Sequence, residues 1–283
     1  MKPDIFIFTN GRPTTFPAIE YGAWLGASMR TPVRLIGVDE HPSPSQIDED
    51  THPLEPIFER AVEAFVKAGT EYHLEVQRGH AEDVIPRRVK GQDALVVIGP
   101  FGRPQLRRML TGRSFRDIME HVTMPLLYVP QVKLPPKKLL VCLGGLGYEV
   151  TAEMLAMRVA AMTKAEVVLL TVVPPMDLEY PQAREMREHW QHLEQTDTLA
   201  GRSLRKGLEI AREAGLTASV KIRNGNVVEE ILAEVREGNY DLLCMGSPYS
   251  SNALRQLYTP NVTAEIAEHD LVPVLTARYA RPG

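Results

Sequence analysis

Residues 99 to 114 read GPFGRPQLRRMLTGRS, with glycines at Gly99, Gly102 and Gly112 and arginines at Arg103, Arg107, Arg108 and Arg113. Glycine reaches positive φ without cost and lets backbone N–H groups close on an anion. Arginine adds positive potential and a planar fork that fits phosphate. A helix opening at Gly112 would bring a positive N-terminal end to the same place. The chemistry such a loop can do is to hold a phosphate. Glycines at this spacing can also do no more than turn a strand into a helix, because a lone glycine pattern is a weak signal.

Other chemistry finds little footing. No GxSxG elbow, GxxxxGK[ST] loop or CxxC pair is present, so no nucleophile or metal centre argues for an enzyme. The run CLGGLGYE has the glycines of the SGGxDS loop of ATP pyrophosphatases. Leu143 stands for its serine and Gly147 for its aspartate, so the required hydroxyl and carboxylate are missing. His189 and His192, three apart in EHWQHLE, could share a helix face with Glu188 and Glu194 nearby. No third ligand is fixed, and a solvated helix face explains so polar a run.

The elements that must position the glycine loop come from a chain that repeats itself. DIFIFTNGRP at the start and KLLVCLGGLG in the middle are each an apolar run ending in a glycine turn, and an amphipathic segment follows each. EVQRGHAEDVIPRRVKGQDALVVIGP lies over KIRNGNVVEEILAEVREGNYDLLCMGS, and each half closes on a short strand led by proline, MPLLYV and VPVLTA. Alternating strands and helices predict βαβ units. The continuous apolar strands suit a parallel sheet covered on both faces. Five strands per half, doubly wound, are expected. The prolines at 130, 135 and 136 put the boundary near Pro135, giving domains 1–134 and 135–283. A helix is expected over about 54–68 and a long polar one over about 182–214. His80 with Glu82 and Asp83, and Asn226 with Glu229, are expected to start helices in the two halves by capping and by dipole compensation. Trp24 is expected in the core and Trp190 half exposed.

Bulk properties agree with this outline. The chain has 283 residues, 44% of them hydrophobic, and a net charge of −4. An acidic balance makes nucleic acid a poor candidate partner. The apolar core of the N-terminus is too short for a signal peptide, and no run reaches the roughly 18 apolar residues of a membrane span. A cytoplasmic protein is expected, with no membrane partner. The two cysteines, Cys142 and Cys244, sit in apolar runs and read as buried small hydrophobes in a reducing compartment.

The order strand, G-x2-G-x9-G, helix, short proline-led strand resembles the universal stress protein family. Gly99, Gly102 and Gly112 fit its glycine pattern without a gap, and the likeness extends over both halves, as in a tandem member. The resemblance implies an α/β fold of two tandem doubly wound five-stranded parallel-sheet domains, like the adenine nucleotide alpha hydrolases. It also implies an internal pseudo-dimer, with Leu126–Val129 beside Val274–Ala277, and admits a homodimer of whole chains. Pairing of this kind would cover two sheet edges. In one branch of the family ATP binds at the carboxyl edge of the sheet, and in another the motif is degraded and no nucleotide is held.

By that resemblance the first half would take ATP or another adenine nucleotide, with or without Mg²⁺, against Asn10, Val38, Gly99, Gly102, Gly112, Arg113 and Ser114. At most slow ATP hydrolysis is expected, with no evident general base. Two positions depart from the ATP-binding pattern. Asn10 stands for an adenosine-contacting aspartate, and Arg113 takes the place of the serine or threonine after the third glycine, with Ser114 one residue late. The second half departs further: Gly144 replaces the aspartate, Gly246 keeps the first glycine, Tyr249 replaces the second, and Thr259 or Pro260 the third. No ATP is expected there. The alternative is a scaffold of the same fold that binds no nucleotide and is read by an unidentified protein partner.

Overall fold

The structure is a computed structural model and describes residues 3–40, 52–102, 115–144, 149–175, 188–247 and 262–278. The chain divides into two compact units, Met1–Leu134 and Pro135–Gly283.

In the first unit the strands are β1 (Asp4–Thr9), β2 (Val33–Asp39), β3 (Tyr72–Arg78), β4 (Ala94–Ile98) and β5 (Leu126–Tyr128). All pair in parallel, in the order β3-β2-β1-β4-β5. Ile5, Phe6, Ile7 and Phe8 of β1 and Val96, Val97 and Ile98 of β4 are all buried. Strands covered on both faces lose the polar alternation of half-exposed ones, which is why these runs read as continuously apolar. The helices are α1 (Phe16–Met29), α2 (Glu55–Ala68), α3 (Ala81–Val89) and α4 (Phe115–His121).

The second unit repeats the plan with β6 (Lys138–Cys142), β7 (Glu166–Val173), β8 (Ala218–Asn224), β9 (Leu242–Ser247) and β10 (Val274–Arg278), in the order β10-β9-β6-β7-β8. Its helices are α5 (Val150–Thr163), α6 (Leu199–Glu213), α7 (Val227–Gly238) and α8 (Val262–Ala267). Read in chain order, both sheets run third, second, first, fourth, fifth. Both first helices have 14 residues and end on a cationic residue in the left-handed region, Arg30 at φ 51° and Lys164 at φ 54°.

Four expectations need correction. The polar stretch expected as one helix over 182–214 is broken in its described part. A 3-10 segment, Trp190–Gln195, kinks at His192, and α6 begins only after Thr198, whose hydroxyl accepts from Gly201 N. His189 and His192 therefore do not share a regular helix face. His80 precedes α3 without capping it by its side chain. The capping acceptor is Glu40, whose Oε1 takes the Ala81 N–H at 3.1 Å. Asn226 does cap α7, accepting from Val228 N and Glu229 N. Cys244 is buried but Cys142 is only half-buried; both are free thiols. Finally, Trp24, expected in the core, is half-buried, edge-on to the buried Tyr21.

Candidate functional site

In a sheet of this order the connections leave β1 and β4 toward opposite faces, and a crevice forms beyond their carboxyl ends, where open α/β sheets bind ligands. Asn10 directly follows β1, and Gly99 directly follows β4.

The first side of the crevice is the turn TNGRPTT. Its threonines are held inward by their hydroxyls. Thr9 Oγ1 lies 2.5 Å from Thr15 Oγ1, and Thr15 Oγ1 donates to Arg12 O at 2.7 Å. That closed turn lays three side chains along the glycine loop. Thr14 Oγ1 donates to Pro100 O at 2.6 Å, Asn10 Nδ2 to Phe101 O at 3.1 Å, and Arg12 Nη1 to Gly102 O at 2.8 Å. Three successive carbonyls are thus turned onto the 10–14 turn. Because a trans peptide points its C=O and N–H in opposite directions, the Phe101 and Gly102 N–H groups face the other side of the loop. Neither has a backbone or side-chain acceptor among the described residues.

The close fit accounts for two of the three glycines. A Cβ on Gly99 would stand 2.9 Å from Thr15 Cα, and Gly102 lies at φ 62°, with Arg12 Cδ 2.9 Å from where its Cβ would be. Backbone approach at Gly99 and a left-handed turn at Gly102 both exclude a side chain. The partner they approach is the chain's own 12–15 segment.

The third side is the end of β2. Val38 is buried. Two residues on, Glu40 bridges two elements, its Oε2 accepting from Asn10 Nδ2 at 3.3 Å and its Oε1 from the N-terminus of α3. Asp39 is also buried, with Arg78 at 3.6 Å and His52 at 3.8 Å. Asn10 therefore ties the ends of β1, β2 and β4 through one amide, since its Oδ1 also accepts from Arg12 N at 3.4 Å.

Of the residues expected from the sequence, Asn10, Val38, Gly99 and Gly102 gather at this one end of the sheet. Gly112, Arg113 and Ser114, with Arg103, Arg107 and Arg108, lie outside the described residues. Arg12, Thr14 and Glu40 were not foreseen. Their signal is positional: each sits within five residues after β1 or β2, where a side chain can reach the next loop.

The second unit supplies a comparison. Register pairs Phe8 with Ile98 in one sheet and Cys142 with Met245 in the other, so Gly144 stands where Asn10 does and Gly246 where Gly99 does. A Cβ on Gly144 would meet nothing within 4 Å. The amide bridge of the first unit therefore has no counterpart from that position. Thr171 of β7 instead donates to Leu143 O at 2.8 Å. Tyr249, Thr259 and Pro260 lie outside the described residues. Among the described residues, no group of three or more His, Cys, Asp or Glu could hold a metal ion, and no helix is long and apolar enough to cross a membrane.

The model of the universal stress protein family matches the chain twice, over residues 4–130 and 136–278. The chain belongs to the universal stress protein family and carries two of its domains in tandem. A universal stress protein from Archaeoglobus fulgidus DSM 4304 is similar over 99% of this chain and 97% of its own, with a TM-score of 0.68 and 16% identity. A universal stress protein solved from Pseudomonas aeruginosa UCBPP-PA14 covers 97% of this chain and 92% of its own, with a TM-score of 0.66 and 11% identity. A universal stress protein solved in complex with cAMP covers 51% of this chain and 99% of its own, with a TM-score of 0.39 and 21% identity. No curated protein matches the chain in sequence.

Proposed function

We propose that the first unit binds ATP or another adenine nucleotide at the carboxyl edge of its sheet, and that the chain serves as a nucleotide-responsive module in stress physiology. One observation carries this reading. The carbonyls of Pro100, Phe101 and Gly102 are all spent on the 10–14 turn, which turns the N–H groups of Phe101 and Gly102 to the opposite side. Amides presented in this way suit an anion. Val38 offers the apolar wall for a base, and Gly112, Arg113 and Ser114 would continue the phosphate side. Mg²⁺ would accompany the phosphates, with no residue of this chain assigned to it. The second unit, with Gly144 in place of Asn10, is read as empty of nucleotide.

A second reading, a scaffold that binds no nucleotide, draws on a different observation. The amide of Asn10 and the guanidinium of Arg12 are both engaged with the chain itself. The position where the family's ATP-binding branch has a carboxylate thus serves as a brace.

Calorimetric titration with ATP, with and without Mg²⁺, separates the two readings. Saturable heat with one site per chain, lost in Gly102→Val, supports the nucleotide reading. No heat at millimolar ATP supports the scaffold.

A further inference from the structure

The two first helices offer an internal control that isolates one residue. α1 and α5 have the same length and follow the same strand of their units, so their positions can be matched one to one. The fourth residue is Ile19 in α1, with no exposed surface. In α5 it is Glu153, only 3% exposed. The fold therefore accepts an aliphatic side chain at this place, and a carboxyl group stands there instead.

Its surroundings are apolar and tight. Gly207 of α6 faces it so closely that a Cβ there would come within 2.8 Å of Glu153 Oε1, with Leu169 and Leu143 just behind. Oε1 is buried and has no hydrogen-bond partner among the described residues. One turn earlier stands a second carboxylate, Glu149, also buried at 6% exposure, with Ser203 of α6 donating to its Oε1 at 3.2 Å. Among the described residues, the charges that act on Glu153 are that of Glu149, on its own helix start, and that of the exposed Lys206 on α6. Leu143, just after β6, and Leu169 of β7 crowd the same spot beside Gly207.

Two carboxylates packed in so little space cannot both ionise without cost. There is no room between Glu153 and Gly207 for a larger ligand, so the species this site can take up is a proton. We propose that the α5–α6 contact of the second unit is a proton-responsive joint, closed when Glu153 carries a proton and loosened when it is ionised. Burial, and then the charge of Glu149, push the Glu153 carboxyl up from 4.5 to about 7, against a smaller opposing pull from Lys206. The folded unit thus holds a proton that the unfolded chain releases near 4.5. Its contribution to stability is complete below that pH, declines as the pH rises, and is gone above about 7.

The test uses the full chain. The side-chain carboxyl of Glu153, labelled with ¹³C and assigned by its loss in Glu153→Gln, is titrated by NMR, and hydrogen exchange of α5 and α6 is followed from pH 5.5 to 8.5 with intrinsic rates divided out. The proposal expects a midpoint near neutrality. It also expects exchange in α5 and α6 to speed up by at least tenfold across that range, with little change in Glu153→Gln or in Glu153→Ile, which copies the sister helix. A midpoint near 4.5 would overturn it. So would a pH-dependent loss of protection that persists unchanged in both variants.

Discussion

Asn10 shows how much a single amide can mean at the residue scale. A carboxylate there could accept the Arg12 N–H but not donate to Phe101 O, and it would face Glu40 as a like charge. Asn10→Asp should therefore lower the stability of the first unit by about 1–2 kcal/mol at neutral pH, read as a drop in its melting temperature that shrinks on acidification. An unchanged melting temperature would mean the amide bridge contributes nothing. The sequence made Asn10 visible as a departure from a family pattern, but not as a brace. Residue type says what a side chain can donate. Its partners, Phe101 and Glu40, are 91 and 30 residues away and become neighbours only through the strand order. The glycines follow the same logic. Their spacing was legible at once, whereas the contacts of Gly99 with Thr15 and of Gly102 with Arg12 needed the fold.

Elements were far more legible than contacts. Continuous apolar runs gave the strands, and the repetition of helix starts gave the helices, because both depend on neighbours in sequence. The failures came where a distant group does a local job. The α3 N-terminus is capped from the end of β2 by Glu40, which nothing in GHAED reveals. α7 is capped from within by Asn226. Asn226→Ala should then cost about 1 kcal/mol and speed exchange in the first turn of α7. His80→Ala, at an exposed side chain that makes no capping bond, should leave α3 unchanged. Equal effects of the two variants would contradict the assignment. The helix expected over 182–214 failed for a related reason. Its polar composition permits a helix, but Thr196 and Thr198 hydrogen-bond each other at 2.8 Å, and Thr198 starts α6 afresh.

For the whole molecule, the duplication is what makes the residues interpretable. Two copies of one plan have kept their strand order and the length of their first helix while single positions diverged: Asn10 against Gly144, Ile19 against Glu153. Each difference is read against the same scaffold, so the contacts that one side chain adds can be separated from those the fold supplies in both units.

In the function proposed above, nucleotide is held by the first unit alone, on the amides that its turned-in carbonyls leave facing outward. The decisive test is an amide-resolved NMR titration of the ¹⁵N-labelled full chain with ATP. Saturable shifts at Asn10, Val38, Phe101 and Gly102, with the amides around Gly144 and Gly246 unmoved, are the predicted result. Shifts that map to the second unit, or none at millimolar ATP, would contradict it.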